Sequence, residues 1–530
     1  MEKEAGIFND VFGPVMRGPS SSHTAASWRI ARISVDVLND PLEKALVEFD
    51  RNGAWANNYK EQGTNMGIEG GLLNLDMTDE RMKETEDYAH EKGVEIKYRV
   101  SSFPTNHPNT VRLTLWGLSK KQVQVIAIST GGGAFQIQSV NGFNLRYLGD
   151  LFGVICFSHK ENLSEYLKSM MPANGNISVE QRENSIMYFL TSPFPFEEAF
   201  QNELQNHPEL YEVAFINPVM PVISGRKTQV PFSTVQSLEE YAKKTNKSLG
   251  ELGLIYEKCI SGLTEEEVRQ KMDAIVQIIH KSIQKGLDGT DYEDRILPRQ
   301  SHLIQKAELA GRFKNSVFSH IVANVTAIME SKSSMEMIVA APTAGSCGTF
   351  GGALKAVSED FGSTYEELRA AYFAAGIIGV YFAKGPGFSA EEHGCQVECG
   401  AAGGMAAAAI VQLMGGTAKQ ALGAASMAIQ NMIGVICDPV ADRVEVPCLG
   451  KNVSAAANAY TSAMMAISGY DAVIPLDQVL KTVSSVGNQM PSCLKCTGEG
   501  GLAATDISKQ LKKNLEEKLK KKAPGVKITD

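Results

Sequence analysis

No stretch of the sequence is apolar for long enough to cross a bilayer; the longest, Gly403 to Met414, falls short of the about 20 residues that a helical span needs. A basic excess is lacking too. The formal net charge is -9, and no basic patch with interleaved aromatics offsets it, which argues against nucleic acid as a partner. The opening Met-Glu-Lys-Glu-Ala-Gly has neither the basic n-region nor the apolar run of a signal peptide, so a cytoplasmic chain without a membrane partner is expected. Cysteine occurs nine times, an odd number without regular pairing, which suits a reducing compartment and reactive or metal-binding thiols better than a disulfide framework. Gly131-Gly132-Gly133 is no dinucleotide fingerprint, because it leads into an alternating strand and not a helix; a hairpin bend is expected there. No motif around a lysine marks a pyridoxal phosphate site, and that cofactor is not expected.

What is present reads as a soluble globular protein, 43% hydrophobic and 21% charged, and 530 residues are too many for one core. The expected fold class is α+β and multidomain. Residues 1–148 alternate strands (45–49, 94–100, 110–115, 122–128 and 134–138) with helices (25–38, 66–74 and 78–91) and form an α/β domain. Residues 149–221 read β-α-β-β-α-β, the ferredoxin-like order. A polar linker, 222–236, contains Gly225-Arg226-Lys227. Residues 237–506 are nearly all helix and rich in Ala, Gly and Met, with Thr264 and Glu267 forming a capping box at one helix start. Residues 507–530 form a charged C-terminal helix or tail, its lysines on a solvated face.

Three cysteines stand in three short motifs, Gly394-Cys395-Gln396, Cys437-Asp438-Pro439-Val440 and Val446-Pro447-Cys448, 42 and then 11 positions apart. The spacing is not the paired CxxC of a zinc ribbon, and a free cysteine in an Ala-rich region is ordinarily a small buried hydrophobe. The flanks point the other way. Each cysteine adjoins Gly, Pro or an acidic residue at an expected helix end, where a thiolate can reach outward, and thiolates are the usual ligands of iron-sulfur clusters. The nearly uncharged segment Ala401 to Met432 reads as closely packed helices, which places the cysteines at the edges of a dense apolar core. Near the other end, Gly18-Pro19-Ser20-Ser21-Ser22-His23-Thr24 precedes a helical run. Ser and Thr there are helix caps, or, with the unpaired N–H groups of the helix start, a site for a carboxylate; both readings stand.

The three cysteine motifs, the Gly18–Thr24 segment and Ala341-Pro342-Thr343-Ala344-Gly345-Ser346-Cys347-Gly348 resemble those of the iron-sulfur-dependent bacterial L-serine dehydratases (L-serine ammonia-lyases), in a single-chain form with fused beta and alpha domains. Motifs from both ends of the family appear in order, so the resemblance covers nearly the whole chain. It implies that residues 1–148 are the substrate-contacting beta domain, 149–221 an ACT-like module and 237–506 the catalytic alpha domain. It further implies that Cys395, Cys437 and Cys448 hold three irons of a 4Fe-4S cluster, with the fourth iron left open as a Lewis acid toward the hydroxyl of a small amino-acid substrate. Elimination of water would then give an aminoacrylate, and from it pyruvate and ammonia. By the same resemblance Ser20, Ser21, Ser22 and Thr24 contact the substrate across the domain interface, Asn65 and Asn109 lie in segments that line the active site, Thr343 and Asn452 lie near the cluster, and all eight are expected to bind substrate. His23 is the first candidate for the α-proton base, since an unperturbed imidazole titrates at about 6.5, with a structural histidine in a capping turn as the alternative; His107 is the second candidate. A homodimer and oxygen sensitivity are also implied.

The sequence departs from the family in places. Gln62-Gly63-Thr64-Asn65 stands where the family reads His-Gly-Thr-Asp, which removes two titratable groups and keeps L-cysteine or L-threonine as alternative substrates. A catalytically inactive ligand-sensing homologue is a further alternative, against which the retained cysteines and Ser20–Thr24 argue. Cys347 is expected near the site without binding iron, and Cys399, one helix turn after Cys395, can face the cluster. Cys493 and Cys496 resemble a redox or metal pair, but they lie in a segment matching the family's closing motif, and a structural role is expected. No effector-binding motif marks 149–221, and no cysteine follows Cys496 to fold back onto the cluster as in some relatives.

Overall fold

The computed structural model describes residues 5–225 and 229–522, the last four by backbone alone. Met1–Glu4, Arg226, Lys227 and Thr228 of the expected linker, and 523–530 of the expected tail lie outside the described residues. The chain compacts into two units, one of Met1–Asn9, Ser22–Val230 and Glu257–Thr264, the other of Asp10–Ser21, Pro231–Tyr256 and Glu265–Asp530.

In the first unit, six strands form a mixed sheet in the spatial order Glu95–Ser101, Leu42–Asp50, Thr110–Gly117, Gln122–Gly131, Ala134–Val140 and Phe143–Tyr147. Burial alternates along Phe143–Tyr147 and much of Gln122–Gly131, the period-two pattern of a strand with one face on a core. That face packs on the helix Ala26–Leu38 through Ile30, Ile33 and Val37. Leu42–Asp50 and Glu95–Ser101 run parallel, joined by a crossover that holds the helices Ala54–Asn58, Thr64–Leu72 and Thr85–Glu91; all other pairs are antiparallel. The edge strand Glu95–Ser101 carries Lys97 and Arg99, charges that discourage further strand pairing. Gly131, Gly132 and Gly133 all have positive φ (91°, 61° and 87°), which makes the hairpin bend expected of them one that side chains would resist. Helix Thr64–Leu72 approaches the start of Ala26–Leu38 backbone to backbone: a Cβ on Gly67 would lie 2.1 Å from the Thr24 carbonyl oxygen.

The β-α-β-β-α-β segment forms a second, fully antiparallel sheet in the same unit, ordered Leu210–Ile216, Phe152–Ser158, Ser185–Ser192, Asn176–Arg182. Its helices, Ser164–Ser169 and Glu198–Gln205, cover one face through Leu167, Phe200 and Leu204. The other face, Ile155, Phe157, Met187 and Phe189, joins the core of the six-stranded sheet.

Among its described residues the second unit is helical apart from one two-residue strand pair, Val15–Met16 with Ile338–Val339. Its axis is the helix Cys399–Leu413, in which every residue from Cys399 to Val411 is buried. Alanine and glycine make this possible, because their small side chains let the neighbouring helices Cys347–Asp360, Tyr365–Lys384, Ala418–Gln430 and Cys448–Ile467 come close on all sides. Residues 10–21 belong to this unit: Phe12 packs on Phe350 and Tyr372 at ring distances of 5.1 and 5.8 Å, where apolar side chains near the chain start find a core. Among the described residues no helix is long and apolar enough to cross a membrane.

Candidate active site

The buried helix Cys399–Leu413 fixes the centre of the site, and the segments at its start supply the thiols. Cys395 sits in the 3-10 turn Cys395–Val397, Cys437 in extended backbone before the turn Val440–Asp442, and Cys448 at the first position of the helix Cys448–Ile467. Cys395, Cys437 and Cys448 are 2, 4 and 6% exposed, and Cys399 and Cys496 are 1 and 4% exposed. The Cys395 and Cys437 sulfurs and a Glu398 carboxylate oxygen lie within 4.8 Å of one another, an arrangement that can hold a metal. None of the nine cysteines is in a disulfide.

So many buried thiols in one place resist ionisation. Burial, with the neighbouring Cys395, holds the Cys448 and Cys399 thiols well above the ordinary range, while hydrogen bonds to Cys395 and Cys496, with burial, do the same for Cys437. A soft, multiply charged cation or cluster relieves that penalty by taking the thiols as thiolates, so this donor set fits an iron-sulfur centre. Two lysines add positive charge. Lys332, fully buried, donates to the Val444 carbonyl, and its charge favours ionisation of Cys448, Cys347 and Glu398. Lys451 donates to Asp438 Oδ1 at 2.6 Å and the Ile436 carbonyl at 2.7 Å. Burial alone would weaken its hold on the proton, but Cys395, Asp438, Cys448 and Cys437 together overcome this and keep it charged.

Glu398 completes the wall. Burial raises its carboxyl to about 7, against the lowering effects of a Thr343 hydrogen bond, Lys332 and Cys395. Thr343 caps the turn Ala344–Ser346, its hydroxyl accepting from the Ser346 N–H, and Gly345 lets that turn lie against Glu398, where a Cβ would approach the carboxylate to 3.0 Å. Ser21 Oγ accepts from the Ala344 N–H at 3.2 Å in the same unit. Cys347 begins the next helix, its thiol pushed up to about 12 chiefly by burial.

Asn452 is a brace in this arrangement. Its Oδ1 accepts from the Thr349 N–H (3.0 Å) and hydroxyl (2.9 Å), and its Nδ2 donates to the carbonyls of Gly345 (2.8 Å) and Cys448 (2.9 Å). Nδ2 also lies 3.7 Å from Cys399 Sγ, so the amide is engaged on both sides by protein groups. Cys493 and Cys496 part company. Cys493 is half-buried, whereas Cys496 sits against Cys437.

In the first unit, His23 is fully buried, with Nε2 3.0 Å from Asn58 Oδ1 and Nδ1 3.1 Å from Ser22 Oγ; its ring lies 5.8 Å from that of Trp55. An Asn58 oxygen can only accept, which assigns the proton to Nε2 and leaves Nδ1 as the basic nitrogen. Thr24 donates to the Gln62 carbonyl, and no side chain caps the helix Ala26–Leu38. His107 shapes its own turn, Nδ1 accepting from the Asn109 N–H at 3.1 Å. Asn65 is half-buried and Gln62 buried. Both amide atoms of Asn109, Trp55 Nε1, Thr64 Oγ1 and Ser129 Oγ are buried without a hydrogen-bond partner, and the Ala54–Pro108 and Ser129–Asn109 backbone bonds tie Trp55, Asn109 and Ser129 to neighbouring positions. Unpaired buried polar groups are costly, and these five atoms are able to serve a small polar ligand.

Sequence reasoning did not single out Glu398, Lys332, Trp55 or Ser129. For Glu398 a signal existed, since it stands three positions after Cys395, within one helix turn; nothing local distinguishes Lys332 from a surface lysine.

Comparison with known proteins points to one family. The family model described as serine dehydratase alpha chain matches residues 170–503. A probable L-serine dehydratase alpha chain of Bacillus subtilis (strain 168) is 35% identical over 285 residues, 54% of this chain and 95% of that protein. The L-serine dehydratase alpha chain of Peptoniphilus asaccharolyticus is 37% identical over 260 residues, 48% of this chain and 88% of that one. A probable L-serine dehydratase beta chain of Bacillus subtilis is 42% identical over 141 residues, 27% of this chain and 63% of that one. One polypeptide therefore carries regions similar to both chains, and with more than half its length matched by the family model, it belongs to the serine dehydratase alpha chain family.

Proposed function

We propose that this protein deaminates L-serine to pyruvate and ammonia by β-elimination of water, with Cys395, Cys437 and Cys448 as ligands of a 4Fe-4S cluster. The observation that carries this reading is the convergence of buried thiols on Cys395, beside two lysines, in a member of this family. When bound, a cluster with one iron lacking a protein ligand supplies Lewis acidity toward the substrate hydroxyl, which is otherwise a poor leaving group.

The remaining work falls to side chains. Lys332 and Lys451 offset the negative charge of the thiolates, and Asn452 fixes the Cys448 helix against the Thr343–Ser346 turn. His23 Nδ1, with the opposite nitrogen pinned by Asn58, is the proposed acceptor of the α-proton. Asn109, Thr64, Trp55 and Ser129 offer the donors and acceptors that a small zwitterion needs. Ser20, Ser21, Ser22, Thr24, Asn65 and Thr343 belong to the same proposed substrate set, with His107 as the alternative base. The aminoacrylate released by elimination tautomerises and hydrolyses to pyruvate and ammonia without further help. A cytoplasmic location and a homodimeric state are part of the proposal, the latter open to light scattering.

The test is purification without oxygen, reconstitution with iron and sulfide, and measurement of pyruvate from L-serine before and after air. Activity only in the anaerobic, iron-loaded sample supports the reading, as does loss of colour and turnover in Cys437→Ala with both kept in Cys493→Ala. Bound iron and sulfide without pyruvate would move the substrate to L-cysteine or L-threonine, toward which the Gln62 and Asn65 departures point. Full activity after days in air would refute the cluster.

A further inference from the structure

Two buried thiols, Cys395 and Cys496, are hydrogen-bond partners of the Cys437 thiol, but only Cys496 is also joined to Cys437 by backbone pairing. The Cys496 N–H donates to the Cys437 carbonyl at 3.0 Å, the Cys437 N–H donates to the Leu494 carbonyl at 2.9 Å, and Cys437 forms an isolated parallel bridge with Lys495. Backbone pairing thus holds the two segments side by side, and the two thiols are hydrogen-bond partners. Cys496 adopts φ 64°, a left-handed conformation that glycine takes without cost and a side chain does not. Cys395 also neighbours Cys437, but its thiol donates to Glu398 Oε2 at 3.7 Å, and its segment pairs with Val435, two residues earlier. Cys399 has the Asn452 amide as its partner, and Cys493 stays outside the group.

We propose that Cys437 and Cys496 form a reversible dithiol–disulfide site in the chain without its cluster. Dioxygen is the oxidant. Two S–H bonds break and one S–S bond forms, while two electrons and two protons pass to dioxygen to give hydrogen peroxide. A dithiol reductant reverses the step: its thiolate attacks one sulfur, a mixed disulfide forms, and its second thiol releases both cysteines as thiols. The consequence rests on the ligand set proposed above. Because Cys437 belongs to it, the disulfide removes one ligand and blocks reloading until it is reduced, storing the site in a recoverable form instead of leaving the thiol to progress to irreversible oxidation.

The test uses the full chain, stripped of iron by a chelator under reducing conditions, freed of reductant and exposed to air. Remaining thiols are alkylated and the unreduced digest is mapped by mass spectrometry. Cross-linked peptides containing Cys437 and Cys496 are expected in the wild type and in Cys493→Ser, and none in Cys496→Ser. In parallel, air-exposed wild type should take up roughly tenfold less iron and sulfide than air-exposed Cys496→Ser, and dithiothreitol should abolish the difference. A Cys395–Cys437 linkage, or no linkage at Cys437, overturns the proposal, and the wild-type map alone decides this if Cys496→Ser does not fold. Should the fully reduced chain bind no iron and sulfide, the cluster assignment fails while the peptide map still judges the disulfide.

Discussion

Replacing Asn452 by alanine separates a residue that braces the site from one that touches substrate. Its carboxamide makes four hydrogen bonds to oxygen and nitrogen groups and a longer one to Cys399 Sγ, and truncation does not strand every partner. The Thr349 hydroxyl still reaches the Asn452 backbone carbonyl at 3.3 Å, and the Cys448 carbonyl, first in its helix, keeps its backbone acceptor role. Two groups remain without partners: the Thr349 N–H, in the first turn of its helix where no intrahelical acceptor exists, and the Gly345 carbonyl. At about 1–3 kcal/mol for each buried group left unsatisfied, the loss is about 2–6 kcal/mol. Urea unfolding of the iron-free protein, followed by far-ultraviolet circular dichroism, should show the helical unit destabilised by that amount, and iron content after reconstitution should fall with it. Unchanged stability together with a raised KM for L-serine would refute the reasoning and make Asn452 a substrate contact.

Lys332→Met keeps much of the buried side-chain volume and removes the charge, so the thiols lose a neighbour that favours their ionisation; weaker iron retention against a competing chelator is expected, and equal retention would count against the role given to this lysine. Glu48 faces Arg99 and Arg112 on its two neighbouring strands in direct register. Burial acts to raise its carboxyl, yet the hydrogen bonds and charges of Arg112 and Arg99 prevail and bring it down from 4.5 to about 2. The stabilisation is therefore present above the unfolded value of 4.5 and is lost as pH falls toward about 2. Thermal midpoints of wild type and Glu48→Gln should differ most above that window and converge at its acid end; a constant difference would contradict the assignment.

Much of the fold was legible because its signals are local. Period-two alternation marks the strands, and the Ala/Gly run from Ala401 to Met432 announces close helix packing, which the fully buried helix Cys399–Leu413 displays. The three glycines at 131–133 name their own bend. The pairing of Val15–Met16 with Ile338–Val339 was not legible, because two residues carry no periodicity and their partners lie more than 300 positions away. The same limit governs the site. Cysteine motifs can be read in a line, but the nearness of Lys332 and Glu398 to Cys448 exists only after three helices have packed. Asn452 shows the converse: the resemblance placed it near the cysteines, while its engagement by Thr349, Gly345, Cys448 and Cys399 was a matter of distances.

The depth of the thiols sets a schedule for maturation. With Cys395, Cys437 and Cys448 no more than 6% exposed, the finished packing offers inorganic iron and sulfide no ready entrance. The proposed cluster would have to be loaded either before the last packing step or through a transient opening. The stretch between the helices Ala418–Gln430 and Cys448–Ile467 bears Cys437 and is tied to Leu494 and Cys496 by backbone hydrogen bonds, which an opening there would have to break. The protein's usable lifetime would then be governed by how often that segment lifts, the same motion that admits the metal also letting it escape.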